Sequence, residues 1–208
     1  VFVGFLIGGS IPFLFSSLTI KAVSDSCFAI IKEVRRQFKE MPGIMKGTQK
    51  PDYARVVDLT TKAALAALAT PALVAVIVPL LVGFLLNAEA LGGFLAGTIL
   101  TGQLLAVFMA NTGGAWDNAK KLLEEGLYGG KGSEAHKATV VGDIVGDPLK
   151  DTAGPAINPL IKVMNLVALL AAPLIVATKI LTPTHWILIV AASGVLIYSL
   201  WKSQKAVV

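Results

Sequence analysis

The chain has 208 residues, 55% of them hydrophobic and 15% charged, with a mean hydropathy of +0.74 and a formal net charge of +5. Ordinary globular domains carry roughly 25% charged residues, so this composition excludes an ordinary soluble domain and points to a polytopic membrane protein. The bases sit between apolar runs, where the positive-inside rule accounts for them, so the basic balance does not indicate nucleic acid.

The first apolar run, Val1–Ile20, is followed without a breaker by KAVSDSCFAIIKEVRRQFKEM (Lys21–Met41). Its apolar residues recur at helical spacing, which predicts one long helix that leaves the bilayer and stops at Pro42. It is no secretory signal, because it lacks a basic n-region. No Met starts the chain, and the expectation is a piece of a longer polypeptide. Further runs are Leu68–Leu86, Ala90–Ala110, Leu160–Ala177 and Trp186–Trp201. With their flanks, five spans are predicted at residues 1–41, 53–86, 90–125, 136–178 and 184–202, an all-α membrane bundle. Pro71 and Pro79 are positioned to kink the second. The third is rich in small residues, and Gly93-x-x-x-Gly97 predicts close helix packing.

Connections rich and poor in Lys/Arg alternate. Lys32–Lys62 and Asp117–Asp151 are rich, Asn87–Glu89 has no base, Lys179–His185 has one, and the tail Lys202–Lys205 is basic. The chain therefore starts outside and places the rich connections in the cytoplasm. GLYGGKGS (Gly126–Ser133) fails the phosphate-loop pattern, since a glycine separates Lys131 from Ser133, and reads as a flexible connection. Cys27 cannot form an internal disulfide. His136 and His185 have no ligand spacing and read as interfacial residues, not metal ligands.

Chemistry concentrates in two stretches on one side. GGAWDNAKKLLEE (Gly113–Glu125) leaves the third span and GDIVGDPLKD (Gly142–Asp151) enters the fourth. Asp143, Asp147 and Asp151 recur every four residues, which on an α-helix stacks them on one face despite their mutual repulsion. If spans three and four are neighbours, Asp117, Lys120 and Lys121 face Asp143, Asp147, Lys150 and Asp151. Oxygen ligands without Cys or His favour a hard cation such as Mg²⁺, and adjacent lysines suit phosphate oxygens. The plainer alternative is a set of helix-end charges in salt bridges with each other and with headgroups.

NTGGAWDNAKK (Asn111–Lys121) and HKATVVGDIVGDPLKDTAGPAINPLIK (His136–Lys162) closely resemble the membrane-integral pyrophosphatases, ion pumps driven by hydrolysis of pyrophosphate. EVRRQF (Glu33–Phe38) and PDYAR (Pro51–Arg55) are also similar to that family, and the likeness covers all but the last span. The resemblance implies the C-terminal part of a two-ring helical barrel, acting as a homodimer in a bacterial-type cell membrane with its catalytic side in the cytoplasm. It implies that Asp117 and Asp147, with Asp143 in support, hold several Mg²⁺ ions. Lys120 and Lys150 would contact substrate phosphate, Asp151 would help activate water, and Lys162 would belong to an ion gate. One departure is Ile144, where many relatives have threonine. TAGPAINP (Thr152–Pro159) resembles the proton-pumping branch, in which K⁺ is not required. The competing readings are an ion-coupled secondary transporter and a non-catalytic scaffold. Carboxylates at helix ends, not at mid-bilayer, count against the transporter.

Overall fold

The computed structural model describes residues 1–178 and 180–205. Lys179, the base of the fourth connection, and the side chain of Lys205 lie outside the described residues.

The described residues form six α-helices: α1 (Phe2–Glu40), α2 (Tyr53–Leu85), α3 (Ala88–Glu124), α4 (Glu134–Asp147), α5 (Gly154–Ala177) and α6 (Pro183–Lys205). A six-residue π turn, Pro148–Ala153, joins α4 to α5, so these form one rod from Glu134 to Ala177. Among the described residues five helical rods are thus long and apolar enough to cross a membrane. At 1.5 Å per residue the 39 residues of α1 extend about 58 Å, well beyond a hydrocarbon core of about 30 Å. The residues after Ile20 therefore project past the bilayer, and so does the charged end of α3.

α1 and α3 approach backbone to backbone. A Cβ built on Gly4 or Gly8 would come within 1.9 Å of the carbonyl oxygens of Ala90 and Phe94, and one on Gly97 within 2.2 Å of that of Phe5. Only glycine permits this spacing. Thr98 and Thr101 use the closeness, donating across the seam to the carbonyls of Gly8 (3.1 Å) and Gly9 (2.9 Å). The expected Gly93–Gly97 packing stripe thus has α1 as its partner, with Gly93 against Val1. The core lies between α1, α2, α3 and α5, centred on Phe94, Ile157, Met164 and Val74. α6 packs on α2, where the hydroxyls of Thr70 and Ser199 lie 2.8 Å apart.

The turn between α1 and α2 is locked. Gln37 donates from Nε2 to the carbonyl of Asp52 (3.1 Å), and the Asp52 N–H donates back to Gln37 Oε1 (2.9 Å). Asp52 also caps α2, accepting from the Arg55 N–H at 3.0 Å. The loop between α3 and α4 contains a 3₁₀ turn, Leu127–Gly129. Gly126, Gly129, Gly130 and Gly132 all have positive φ, as does Tyr128 at 49°.

Candidate functional site: the charged seam between α3 and α4

Beyond its apolar run α3 meets the returning α4 in antiparallel register. Gly113 lies on Gly146, Trp116 on Gly142, Asp117 pairs with Lys150, Lys120 with Asp143, and Glu124 with His136. A Cβ on Gly113 would meet the Gly146 carbonyl oxygen at 2.4 Å and Lys150 Cβ at 2.6 Å. A Cβ on Gly142 would meet the Trp116 ring at 2.3 Å. These contacts bring the charged side chains of two helices within bonding reach. They were not singled out from sequence, although Gly142-x-x-x-Gly146 has the same spacing as the Gly93 pattern that was.

Lys150 is the hub. Its Nζ lies 2.9 Å from Asp117 Oδ2, 3.3 Å from Asp147 Oδ1 and 3.7 Å from Asp151 Oδ2. Lys121 donates to the same Asp117 oxygen at 2.9 Å. Lys120 bonds Asp143 Oδ2, while Asp143 Oδ1 is buried with no hydrogen-bond partner among the described residues. Asp117 lies seven residues past Ala110, about 10 Å beyond the apolar run. There, Lys150 first and Lys121 second hold its carboxyl well below the usual carboxylate range. The reciprocal effect raises Lys150, chiefly through Asp117, and Asp143 raises Lys120. The hydrogen bond from His136 lowers Glu124.

The aspartate stripe is not uniform. Asp143 is buried against Lys120, whereas Asp147 and Asp151 are open, with side chains 49% and 65% exposed, and share Lys150. Beyond Asp147 the helix also changes geometry, at the π turn. Pro148 and Pro155 lack N–H donors, so the i→i−4 ladder fails on both sides, and the Gly154 N–H reaches back five residues to the Leu149 carbonyl. Asp151 therefore lies on a wider turn. Regular α-helical spacing therefore does not run from Asp151 to Lys162, which lies inside α5. Lys162 is exposed and has no ion-pair partner among the described residues.

No group of three His, Cys, Asp or Glu able to hold a metal ion is formed among the described residues. Asp117, Asp147 and Asp143 are therefore not one closed cage. The arrangement still fits Mg²⁺, which is usually held by one or two carboxylates with waters and substrate phosphates completing its shell. Exposed Asp147, oxygen-only donors and the partnerless Asp143 oxygen match that pattern.

Fold and site together define an integral membrane protein of helical rods with an aspartate–lysine cluster at the end of one helix pair. The family model for "Inorganic H+ pyrophosphatase" matches residues 1–171, and the chain belongs to that family. It is 60% identical over 205 residues to a protein of Chloroflexus aurantiacus named K(+)-insensitive pyrophosphate-energized proton pump, covering 99% of this chain and 26% of that protein. A protein of the same name from Methanosarcina mazei is 62% identical over 173 residues, 83% of this chain and 26% of its own length. A K(+)-stimulated pyrophosphate-energized sodium pump of Thermotoga maritima is 51% identical over 173 residues, 82% of this chain and 24% of its own. The chain thus spans about a quarter of the length of these relatives. Membership of a pyrophosphatase family implies metal-dependent catalysis in general.

Proposed function

We propose that this chain supplies one part of a Mg²⁺-dependent pyrophosphatase whose hydrolysis drives protons out of the cytoplasm. The observation that carries it is the seam in which Lys150 bridges Asp117, Asp147 and Asp151 while Lys120 holds Asp143. Four carboxylates face three ammoniums there, so the site has nearly balanced charge without substrate. A Mg²⁺-loaded pyrophosphate brings both cations and anions, which lets each side chain exchange its partner. Asp117 and Asp147 would hold Mg²⁺, supported by Asp143; bound there, the ion polarises phosphoryl oxygens. Lys120 and Lys150 turn from carboxylates to phosphate oxygens. Asp151, the most open of the carboxylates, holds and deprotonates the attacking water together with a carboxylate from the rest of the subunit. Lys162, inside α5 beyond the π turn, belongs to the ion gate. The names of the Chloroflexus and Methanosarcina relatives support proton pumping without K⁺. The complete protein is a homodimer in the cell membrane, with this seam on the cytoplasmic side, and the 208 residues alone are inactive.

The test uses the full-length protein in inverted vesicles, recording phosphate release and acidification together. Asp147→Ala abolishes most Mg²⁺-dependent hydrolysis. Lys162→Ala lowers acidification per phosphate released more than it changes substrate affinity. Near-normal hydrolysis by the first variant at saturating Mg²⁺ would reduce the seam to surface salt bridges. A normal pumping ratio in the second removes Lys162 from the gate.

A further inference from the structure

The rung of the seam furthest from the bilayer, His136 with Glu124, has no part in the chemistry proposed above. His136 is the third residue of α4, and its side chain is largely buried. Its Nδ1 accepts the Gly132 N–H at 3.2 Å, so the ring proton sits on Nε2 and is donated to Glu124 Oε1 at 3.1 Å. The first bond closes the loop onto α4; the second ties α4 to the end of α3. Glu124 has a second cation within reach. Lys120 stands one turn before it on α3, at the i,i+4 spacing where opposite charges pair, and each acts on the other's charge. Yet Lys120 bonds Asp143 across the seam, while Glu124 bonds His136. The remaining charges at this rung are otherwise disposed. Lys131 attracts Glu124 from the exposed loop, where water screens it, and Glu134 and Lys137 of α4 pair with each other at 2.6 Å.

We propose that His136 is a positioning residue: by occupying Glu124 it leaves Lys120 to cross the seam, where that lysine meets substrate phosphate. The inference rests on the phosphate role proposed for Lys120. Without the imidazole donor, Glu124 is a free carboxylate beside Lys120 and draws the ammonium back along α3, away from Asp143. Lys120 is then no longer preorganised for phosphate. Asp147, Lys150 and Asp151, in the rungs nearer the bilayer, keep their places. The loss therefore falls on substrate binding and raises KM, with kcat nearly unchanged.

The experiment measures KM and kcat for pyrophosphate at saturating Mg²⁺ in the full-length protein. His136→Asn keeps an acceptor for the Gly132 N–H but does not reach Glu124. It raises KM roughly three- to fivefold, the worth of one exposed ion pair, with kcat within about twofold. His136→Gln keeps the donor to Glu124, gives up the Gly132 bond and has a normal KM. Adding Glu124→Gln to His136→Asn restores KM, because a neutral amide does not compete for the ammonium. A clamp that is merely structural loses its contact from either end, so the double variant would be no better than the single one. Lys120→Ala raises KM further than His136→Asn, and a normal KM in that variant overturns the phosphate role of Lys120 and this inference with it. A raised KM in Lys120→Ala, together with a normal KM in His136→Asn or no rescue by Glu124→Gln, overturns this inference alone. Ser133 Oγ, not the ring, caps α4 by accepting the His136 N–H at 3.1 Å; should His136→Asn still misfold, His136→Ala replaces it in both comparisons.

Discussion

Two charged clusters stand beyond the bilayer on the same side of the molecule, and they are built to opposite ends. In the first, Glu33 of α1 is 5% exposed yet fully engaged. Arg36 donates to its two oxygens at 2.9 and 2.7 Å, Gln37 adds a bond of 3.0 Å, and Arg55 of α2 lies at 3.2 Å. A buried carboxylate whose two oxygens already hold four polar contacts has little left for a ligand, and it fixes the α1–α2 turn. In the second, between α3 and α4, the carboxylates outnumber their lysines, Asp147 and Asp151 are open, and one oxygen of Asp143 has no partner. Both clusters consist of ion pairs; what separates structure from site is the capacity left over.

The sharpest break of that comparison is Lys150→Ala. It takes the shared cation from Asp147 and Asp151, leaves Asp117 with Lys121 alone and, on the proposed function, removes a phosphate contact, so pyrophosphate hydrolysis by the full-length protein falls roughly 10²–10³-fold, the range for losing one preorganised charge-stabilising donor. A loss confined to thermal stability, with turnover intact, would make the second cluster a copy of the first.

Gly113 tests whether geometry or mere charge defines the seam. Gly113→Ala must displace the Gly146 carbonyl or the Lys150 side chain. Overpacking of this kind costs about 1–3 kcal/mol, and a displacement of Lys150 by 1 Å lowers turnover up to about 100-fold. The neighbouring Gly114 has nothing within 4 Å of its Cβ position. Gly114→Ala is therefore neutral or slightly stabilising, as expected for alanine replacing glycine in a helix. Equal effects at the two positions would dismiss close approach as the organising feature.

This contrast also marks how far the sequence could be read. The five rods follow from apolar runs close to the length of a bilayer's hydrocarbon core, and the meeting of Asp117 with Lys150 follows from topology plus charge. The register along α4 and α5 does not. Counting 100° per residue from Asp151 to Lys162 assumes an unbroken ladder, and the two prolines that set the π turn act jointly. The glycine seam was hidden because the face on which Gly113 meets Gly146 depends on the partner helix. In the same way, Gln37 reads as an ordinary helix-surface residue until the turn brings the Asp52 backbone beside it.

Glu33 gives the complementary break in the first cluster. Arg36, then Gln37, hold its pKa at about 2, below the usual 4.5. A depressed pKa means that its stabilising contribution is fully present above pH 4.5 and is lost as pH falls toward about 2. Glu33→Gln is accordingly less stable than the unmodified protein at neutral pH, and the gap in melting temperature narrows across that window. Hydrolysis per folded molecule changes little. A gap that is independent of pH would show that packing, not charge, holds this turn.

The smallest effect separates two lysines that share one oxygen. Lys121 and Lys150 both donate to Asp117 Oδ2 at 2.9 Å, so distance alone ranks them equal. Their surroundings differ. The Lys121 side chain is 60% exposed and reaches one turn back along its own helix, while that of Lys150 is 23% exposed and ties two helices together. Water and salt screen the first pair, and a solvated i,i+4 contact contributes little. Lys121→Ala therefore changes pyrophosphate hydrolysis by less than about fivefold, and raising the salt concentration shrinks the difference further. If it matched Lys150→Ala, Asp117 would respond to the number of cations nearby and not to the one that crosses the seam. The division between saturated and open clusters would then have to be drawn by total charge.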